Sequence, residues 1–77
     1  MPYYDIYKRD SFVNEKHLGI TGSSNILGAI MEHVGNREVI AHGGISDPIL
    51  EKYQVVVKFN NTLYTYTGVL VNETSNK

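Results

Sequence analysis

The sequence predicts a small α+β domain, in which an antiparallel sheet of about four strands carries one helix across one face (order β-α-β-β-β). A length of 77 residues fits one domain. One segment has apolar residues at helical spacing, and several short segments are rich in Tyr, Val, Ile and Thr. A sheet covered by a single helix buries that helical stripe. We therefore expect residues 1–71 to form a single domain and the polar residues 72–77 to form a frayed tail.

The N-terminal segment is predicted to contain one strand followed by a long loop. Tyr3–Asp10 favours a strand because Tyr and Ile suit a half-buried, pleated surface. The stretch from Asp10 to Thr21 has no clean periodicity and is polar in patches, which indicates a loop. Four apolar side chains are expected to anchor this loop to the core: Phe12, Val13, Leu18 and Ile20.

The helix is predicted over residues 23–35, where apolar residues recur at helical spacing. The apolar stripe consists of Ile26, Leu27, Ile30, Met31 and Val34. Ser23 or Ser24 is expected to be the N-cap, and Gly35 fits the left-handed position just after the helix. Gly28, in the middle of the helix, suggests that another group packs close to that side.

The C-terminal half is predicted to be mostly strand. Arg37–Gly44 is expected to form the second strand, and Pro48 is expected to begin a short helical turn. The strongest strand signal runs from Tyr53 to Val71, and Asn60 with Asn61 is predicted to form a two-residue hairpin turn.

The length of this turn decides which side chains of the hairpin are buried. With a two-residue turn, the core face consists of Tyr53, Val55, Val57, Phe59, Tyr64 and Tyr66. A three-residue turn would flip the second strand and expose Tyr64 and Tyr66 beside Lys58. The two-residue turn separates apolar from polar residues better, so we expect the tyrosines to lie in the core.

No motif predicts a catalytic, cofactor or metal site. The stretch Gly19–Gly28 (GITGSSNILG) has the glycines of a phosphate-binding loop, but it lacks the lysine of a P-loop and the spacing of a dinucleotide-binding loop. We interpret it as the start of a helix. His17, His33 and His42 do not have the spacing of a zinc motif, and the chain has no nucleophile elbow to accompany His42-Gly43-Gly44. We expect no metal, no cofactor and no enzymatic activity.

The composition argues against membrane and nucleic-acid partners. The net charge is −1, and the 7 basic residues are spread along the chain, whereas nucleic-acid binders concentrate them on one face. No apolar run approaches the ~20 residues that span a bilayer. Met1–Asp5 lacks the features of a signal peptide, so we expect a cytoplasmic protein.

Because the chain is small and has no cysteine, a homodimer is expected to add stability.

These exclusions leave binding to another macromolecule as the expected function. The leading hypothesis is a small non-enzymatic protein-binding module, such as an inhibitor or regulator that docks on a larger host enzyme. Chains of this size and kind are often accessory proteins of viruses (phages) and other mobile elements. Tyrosine is common at the centres of interfaces, and the candidate contact residues are Tyr3, Tyr7, Phe12, Lys16 and His17.

Two alternative functions stay open. A single-stranded nucleic-acid binder would stack bases on an exposed sheet face. That face would carry Lys52, Lys58, Tyr64 and Tyr66 and would require the three-residue turn. A homo-oligomeric structural protein would instead pair edge strands between subunits.

Overall fold

The structure is an antiparallel sheet with one short helix across one face. This computed structural model describes residues 2–10, 14–47 and 51–71. In chain order, its elements are β1 (Tyr3–Asp10), β2 (Glu15–Gly22), α1 (Ile26–Met31), β3 (Val39–Asp47), β4 (Lys52–Phe59) and β5 (Thr62–Leu70). The strands lie in the order β2-β1-β5-β4-β3, and every neighbouring pair is antiparallel. The α+β class is confirmed, but the predicted strand count is wrong, because the described residues form five strands.

The additional strand is β2, which occupies most of the segment predicted to be a loop. β2 pairs with β1, and the register shifts between them: Ile6 lies opposite Gly19, whereas Tyr7 lies opposite His17. The shift leaves Leu18 as an extra residue in a β-bulge, which interrupts the alternation of side chains along the strand. The period of two by which a strand is recognised is therefore broken in the middle of β2.

Of the side chains that are predicted to anchor the loop to the core, one is confirmed and one is wrong. Leu18 packs against the core, as expected. Ile20 is 59% exposed, so its prediction as an anchor is wrong. Several predictions lie outside the described residues: those on Phe12 and Val13, the helical turn after Pro48, and the tail at 72–77.

The helix is shorter than the predicted span of residues 23–35. α1 ends at Met31, because the backbone bonds beyond it change to the tighter i→i+3 type, with the His33 N–H donating to the Ile30 carbonyl at 2.9 Å. Ala29 and Ile30 are buried. Two members of the predicted stripe are largely exposed: Leu27 (42%) and Met31 (38%).

The helix caps also differ from the prediction. The N-cap is Asn25, rather than Ser23 or Ser24, and its Oδ1 accepts a hydrogen bond from the Gly28 N–H at 2.6 Å. The group that packs close to Gly28 is this capping segment, since a Cβ there would lie 2.8 Å from Ser23 Oγ. Gly35 does not adopt a left-handed conformation.

The predicted two-residue hairpin turn is confirmed. Asn60 and Asn61 connect β4 to β5 with φ angles of 52° and 62°, which asparagine tolerates. Val55 therefore pairs with Tyr66, as the sequence predicts. β3 begins and ends later than the predicted Arg37–Gly44, and its register against β4 shifts twice, which makes its ends difficult to recognise from the sequence.

The core lies between α1 and one face of the sheet. Its buried apolar residues are Tyr4, Ile6, Ala29, Ile30, Val55, Val57 and Tyr66. Tyr53 and Tyr64 from the predicted core face are partly buried and pack against this cluster. Gly68 of β5 lies beneath the helix, where a Cβ would lie 3.0 Å from Ile30 Cγ1, so glycine allows α1 to pack closely on β5.

Candidate functional site

The sheet face opposite α1, here called the open face, is the first candidate site. No element among the described residues lies over it. Side chains alternate between the two faces along each strand. The core residues Tyr4, Ile6, Val55 and Val57 point towards α1, so the residues next to them in sequence point to the open face. Four large apolar side chains on this face are strongly exposed: Tyr3 (46%), Ile20 (59%), Val39 (66%) and Leu63 (46%).

A row of polar side chains crosses the middle of the open face. It runs through His17, Tyr7, Thr67 and Gln54, which are cross-strand neighbours on β2, β1, β5 and β4. The Tyr7 and His17 ring centroids are 5.0 Å apart, and Gln54 Nε2 donates to Thr67 Oγ1 at 3.3 Å. Thr67 is only 6% exposed, so its neighbours cover it although no described element packs on this face.

This central polar row separates two apolar ends of the open face. At one end, Ile20 lies opposite Asp5, whose Oδ1 accepts a hydrogen bond from His17 Nε2 at 2.8 Å. At the other end, Lys58 lies between Leu63 and Val39 as their cross-strand partner. The face thus offers apolar contacts at both ends and hydrogen-bonding groups between them.

The structure brings together three of the five predicted protein-contact residues. Tyr3 and Tyr7 lie on the open face of β1, and His17 lies beside Tyr7 on β2. Lys16 is exposed but lies on the other face of β2, opposite Lys8. Phe12 is outside the described residues.

The structure does not bring together the four residues predicted for nucleic-acid binding. Lys52 and Lys58 lie on the open face, opposite Val69 and Leu63 of β5. Tyr64 and Tyr66 lie on the helix side of the sheet, and Tyr66 is only 1% exposed. The exposed platform of tyrosines and lysines that this hypothesis requires is therefore not formed.

A polar cluster around Glu38 is the second candidate site. The Glu38 side chain is 8% exposed and lies at the end of the turns that follow α1. Its Oε1 accepts hydrogen bonds from the Tyr66 hydroxyl at 2.6 Å and from the Gly35 N–H at 2.7 Å. Its Oε2 forms an ion pair with Lys8 Nζ at 2.9 Å. The Lys8 ammonium also lies 4.6 Å from the centroid of the Tyr64 ring, within cation–π range.

The ionisation of this cluster is coupled. Burial would raise the pKa of the Glu38 carboxyl, but hydrogen bonds from Tyr66, Gly35 and Lys8 outweigh it and hold the pKa below its ordinary value of 4.5. Burial would lower the pKa of Lys8, but its contacts with Glu38 and Tyr66 raise it. Burial and the bond to Glu38 together raise the pKa of Tyr66. The three groups hold one another in their ordinary protonation states at neutral pH.

The sequence contains one signal for this cluster, which is the position of Lys8 in β1. Lys8 follows Tyr4 and Ile6 at intervals of two, so the alternation of β1 places it on the core face. A charged side chain on a core face needs a charged or hydrogen-bonding partner. The partner, Glu38, is 30 residues away, and its position depends on the turns after α1.

The described residues contain no group of three or more His, Asp or Glu side chains that could hold a metal ion. The three histidines lie apart: His17 bonds Asp5, His33 Nε2 lies 2.6 Å from Thr21 Oγ1, and His42 is exposed on β3.

Among the described residues, no helix is long and apolar enough to cross a membrane; α1 has six residues.

Comparison with known proteins does not identify a relative. No protein-family model, curated protein or solved structure matches the chain. The open face and the Glu38 cluster are therefore the basis on which a function is proposed.

Proposed function

We propose that this chain is a small non-enzymatic protein-binding module whose open face docks on a larger protein. The observation that carries the proposal is the exposure of Tyr3, Ile20, Val39 and Leu63 on that face, each between 46% and 66%. Large apolar side chains that share a face and have polar neighbours are typical of interaction surfaces. Among the described residues, α1 covers the other face of the sheet. A partner that docks on the open face would cover the second face.

The chemistry of the open face also supports a protein partner. Tyr3 and Tyr7 offer a large apolar area with a hydroxyl at the tip, which is why tyrosine is enriched at interfaces. The central polar row places His17 and Gln54 between the apolar ends, where each side chain can bond a partner's backbone or side chains. The face therefore combines apolar contact with directional hydrogen bonds.

The Glu38 cluster supports a structural role rather than a catalytic one. Its carboxylate already accepts three hydrogen bonds from Tyr66, Gly35 and Lys8. These contacts connect the segment after α1 to β1 and β5.

The biological role that we propose is inhibition or regulation of a host enzyme in the cytoplasm, of the type performed by accessory proteins of phages and mobile elements.

Self-association is compatible with this function. The outer strands of the sheet, β2 and β3, each have one edge that no described strand pairs with. Such edges can pair between subunits. A homodimer formed through an edge would leave the open face of each subunit available to a different protein.

The proposal is tested by a pull-down from cell lysate with the tagged chain, performed with and without nuclease and analysed by mass spectrometry. We expect one protein to be recovered in near-equal amount from both arms. Recovery that disappears after nuclease treatment would contradict the proposal and favour nucleic-acid binding. Recovery of the bait alone would contradict it and favour self-association.

A further inference from the structure

Two basic side chains lie at a cleft near the β4–β5 turn. Here Arg37 and Lys58 line one cleft together with Val39, Phe59 and the turn residues Asn60 and Asn61. We call the surface formed by Arg37, Val39, Lys58, Phe59 and Leu63 the tip patch. Val39, Lys58 and Leu63 belong to one end of the open face, whereas Phe59 alternates with Lys58 on β4 and also lines the helix side of the sheet beside Tyr64 and Tyr66.

Both cations of the tip patch are free to bind an anion. Within the described ranges, neither Arg37 nor Lys58 forms an ion pair or a hydrogen bond, and both side chains are exposed. The neighbouring carboxylate of Glu38 does not neutralise them, because it is 8% exposed and paired with Lys8. The tip patch therefore presents uncompensated positive charge to solvent.

Apolar surface surrounds these cations. Lys58 lies between Leu63 and Val39 in the sheet, and these side chains are 46% and 66% exposed. Phe59, which is partly buried, lines the cleft with Arg37. The cleft has a volume of about 530 Å³, within the range of sites that accept a side chain or a small ligand.

We propose that the tip patch binds an acidic, apolar segment of a protein partner. A carboxylate of that segment lies between Arg37 and Lys58, and neighbouring aliphatic side chains contact Val39 and Leu63. The proposal rests on the protein-binding function proposed above and specifies the charge of the partner. It follows from charge complementarity, because the positive charge has no counterpart among the described residues of the chain.

Nucleic acid fits the tip patch less well than an acidic peptide. A nucleic-acid strand is bound by a series of cations that follows the phosphates. The tip patch has two free cations, and the nearby Lys8 is already bound to Glu38. The exposed aliphatic neighbours Val39 and Leu63 give a phosphate chain nothing to bond, but they match apolar side chains of a peptide.

The test is an NMR titration of the isotopically labelled full chain with a short synthetic peptide of alternating Glu and Leu. A second peptide has Gln in place of every Glu, and a third arm uses an oligothymidine strand. We expect the Glu peptide to shift signals of residues 37–39 and 58–63. Replacing its Glu by Gln should weaken binding about tenfold, because contacts of both free cations are lost.

Variants of the chain locate the effect. Arg37→Gln and Lys58→Gln should each weaken binding of the Glu peptide roughly two- to fivefold, as expected for exposed ion pairs. Lys52→Gln, a change at the opposite end of β4, is the matched control and should leave the affinity unchanged. The substituted side chains have no partners among the described residues, so all three variants should unfold at the wild-type temperature.

Three outcomes would overturn the inference: no shifts at millimolar Glu peptide, equal binding of the Gln peptide, or tighter binding of the oligothymidine at the same residues. The inference can also fail while the proposed function stands. In that case the pull-down recovers the same partner with wild type and with the double variant Arg37→Gln, Lys58→Gln. If the pull-down recovers no protein, the proposed function itself fails.

Discussion

Glu38 shows how a single side chain can connect distant parts of a small fold. Its carboxylate is bonded to β1 through Lys8, to β5 through Tyr66, and to its own turn through Gly35. Hydrogen bonds to a charged group are stronger than those between neutral groups. The charge of the Glu38 side chain, and not only its shape, should therefore stabilise the fold.

Replacing Glu38 by Gln is predicted to destabilise the chain by about 1–3 kcal/mol, because the charge that Lys8 and Tyr66 contact is removed. Urea unfolding at neutral pH measures this change. Glu32→Gln is the matched control, since Glu32 is exposed and lies in the same segment, and it should alter stability by less than about 0.5 kcal/mol. Equal effects of the two substitutions would show that the Glu38 contacts add nothing.

The lowered pKa of Glu38 predicts a pH dependence of stability. The folded chain holds this pKa below 4.5, so the contribution of Glu38 is fully present above the unfolded value and is lost as the pH falls through the folded value. The difference in unfolding free energy between wild type and Glu38→Gln should therefore shrink as the pH falls below about 4.5. A difference that stays constant down to strongly acidic pH would contradict the assigned charge interaction.

Local patterns in the sequence predict some elements well and others poorly. The β4–β5 hairpin was predicted with its register, because the Asn60-Asn61 turn and the alternation of both strands agree. The bulge at Leu18 hides β2, because it breaks the alternation on which strand recognition depends. The apolar stripe predicts too long a helix, because it continues to Val34 although the chain turns after Met31 towards the Glu38 contacts.

The packing of α1 on β5 gives a prediction for an element. In Gly68→Ala, the added Cβ would lie 3.0 Å from Ile30 Cγ1 and 3.1 Å from Ile26 Cγ1, so these buried side chains must shift to make room for it. We expect a loss of about 1–3 kcal/mol, as in other overpacked cores. Thermal or urea unfolding measures it.

Gly43→Ala provides the control for this prediction. A Cβ at Gly43 would meet Ile40 Cγ2 at 3.7 Å, an ordinary contact distance. Its effect on the free energy of unfolding should be smaller than that of Gly68→Ala. If Gly68→Ala is as stable as Gly43→Ala, the close approach between α1 and β5 is wrong.

At the scale of the whole molecule, the sequence could predict part of the candidate site. Tyr3, Tyr7 and His17 are the predicted contact residues that lie on the open face, and their contact with a partner stays a prediction. Ile20 and Val39 were missed, since exposure depends on the order of the strands and on which face α1 covers. Those are long-range properties that no local pattern contains.

The small size of the chain predicts a homodimer. Sedimentation equilibrium at micromolar concentration should show a mass of two chains, and the unfolding temperature should rise with protein concentration. The prediction is independent of the open face if pairing occurs at a strand edge. A monomer with a cooperative unfolding transition that does not depend on concentration would contradict it.

The central claim is that the open face binds a protein, and a pull-down with variants on different faces tests it most directly. Ile20→Glu and Leu63→Glu place a charge at each end of the open face, whereas Leu27→Glu places one on the exposed side of α1. Each replaced side chain is more than 40% exposed, so all three variants should fold. We predict that the partner recovered with wild type is recovered equally with Leu27→Glu and is reduced about tenfold or more with either open-face variant. Undiminished recovery with both open-face variants, or loss with Leu27→Glu alone, would contradict the claim.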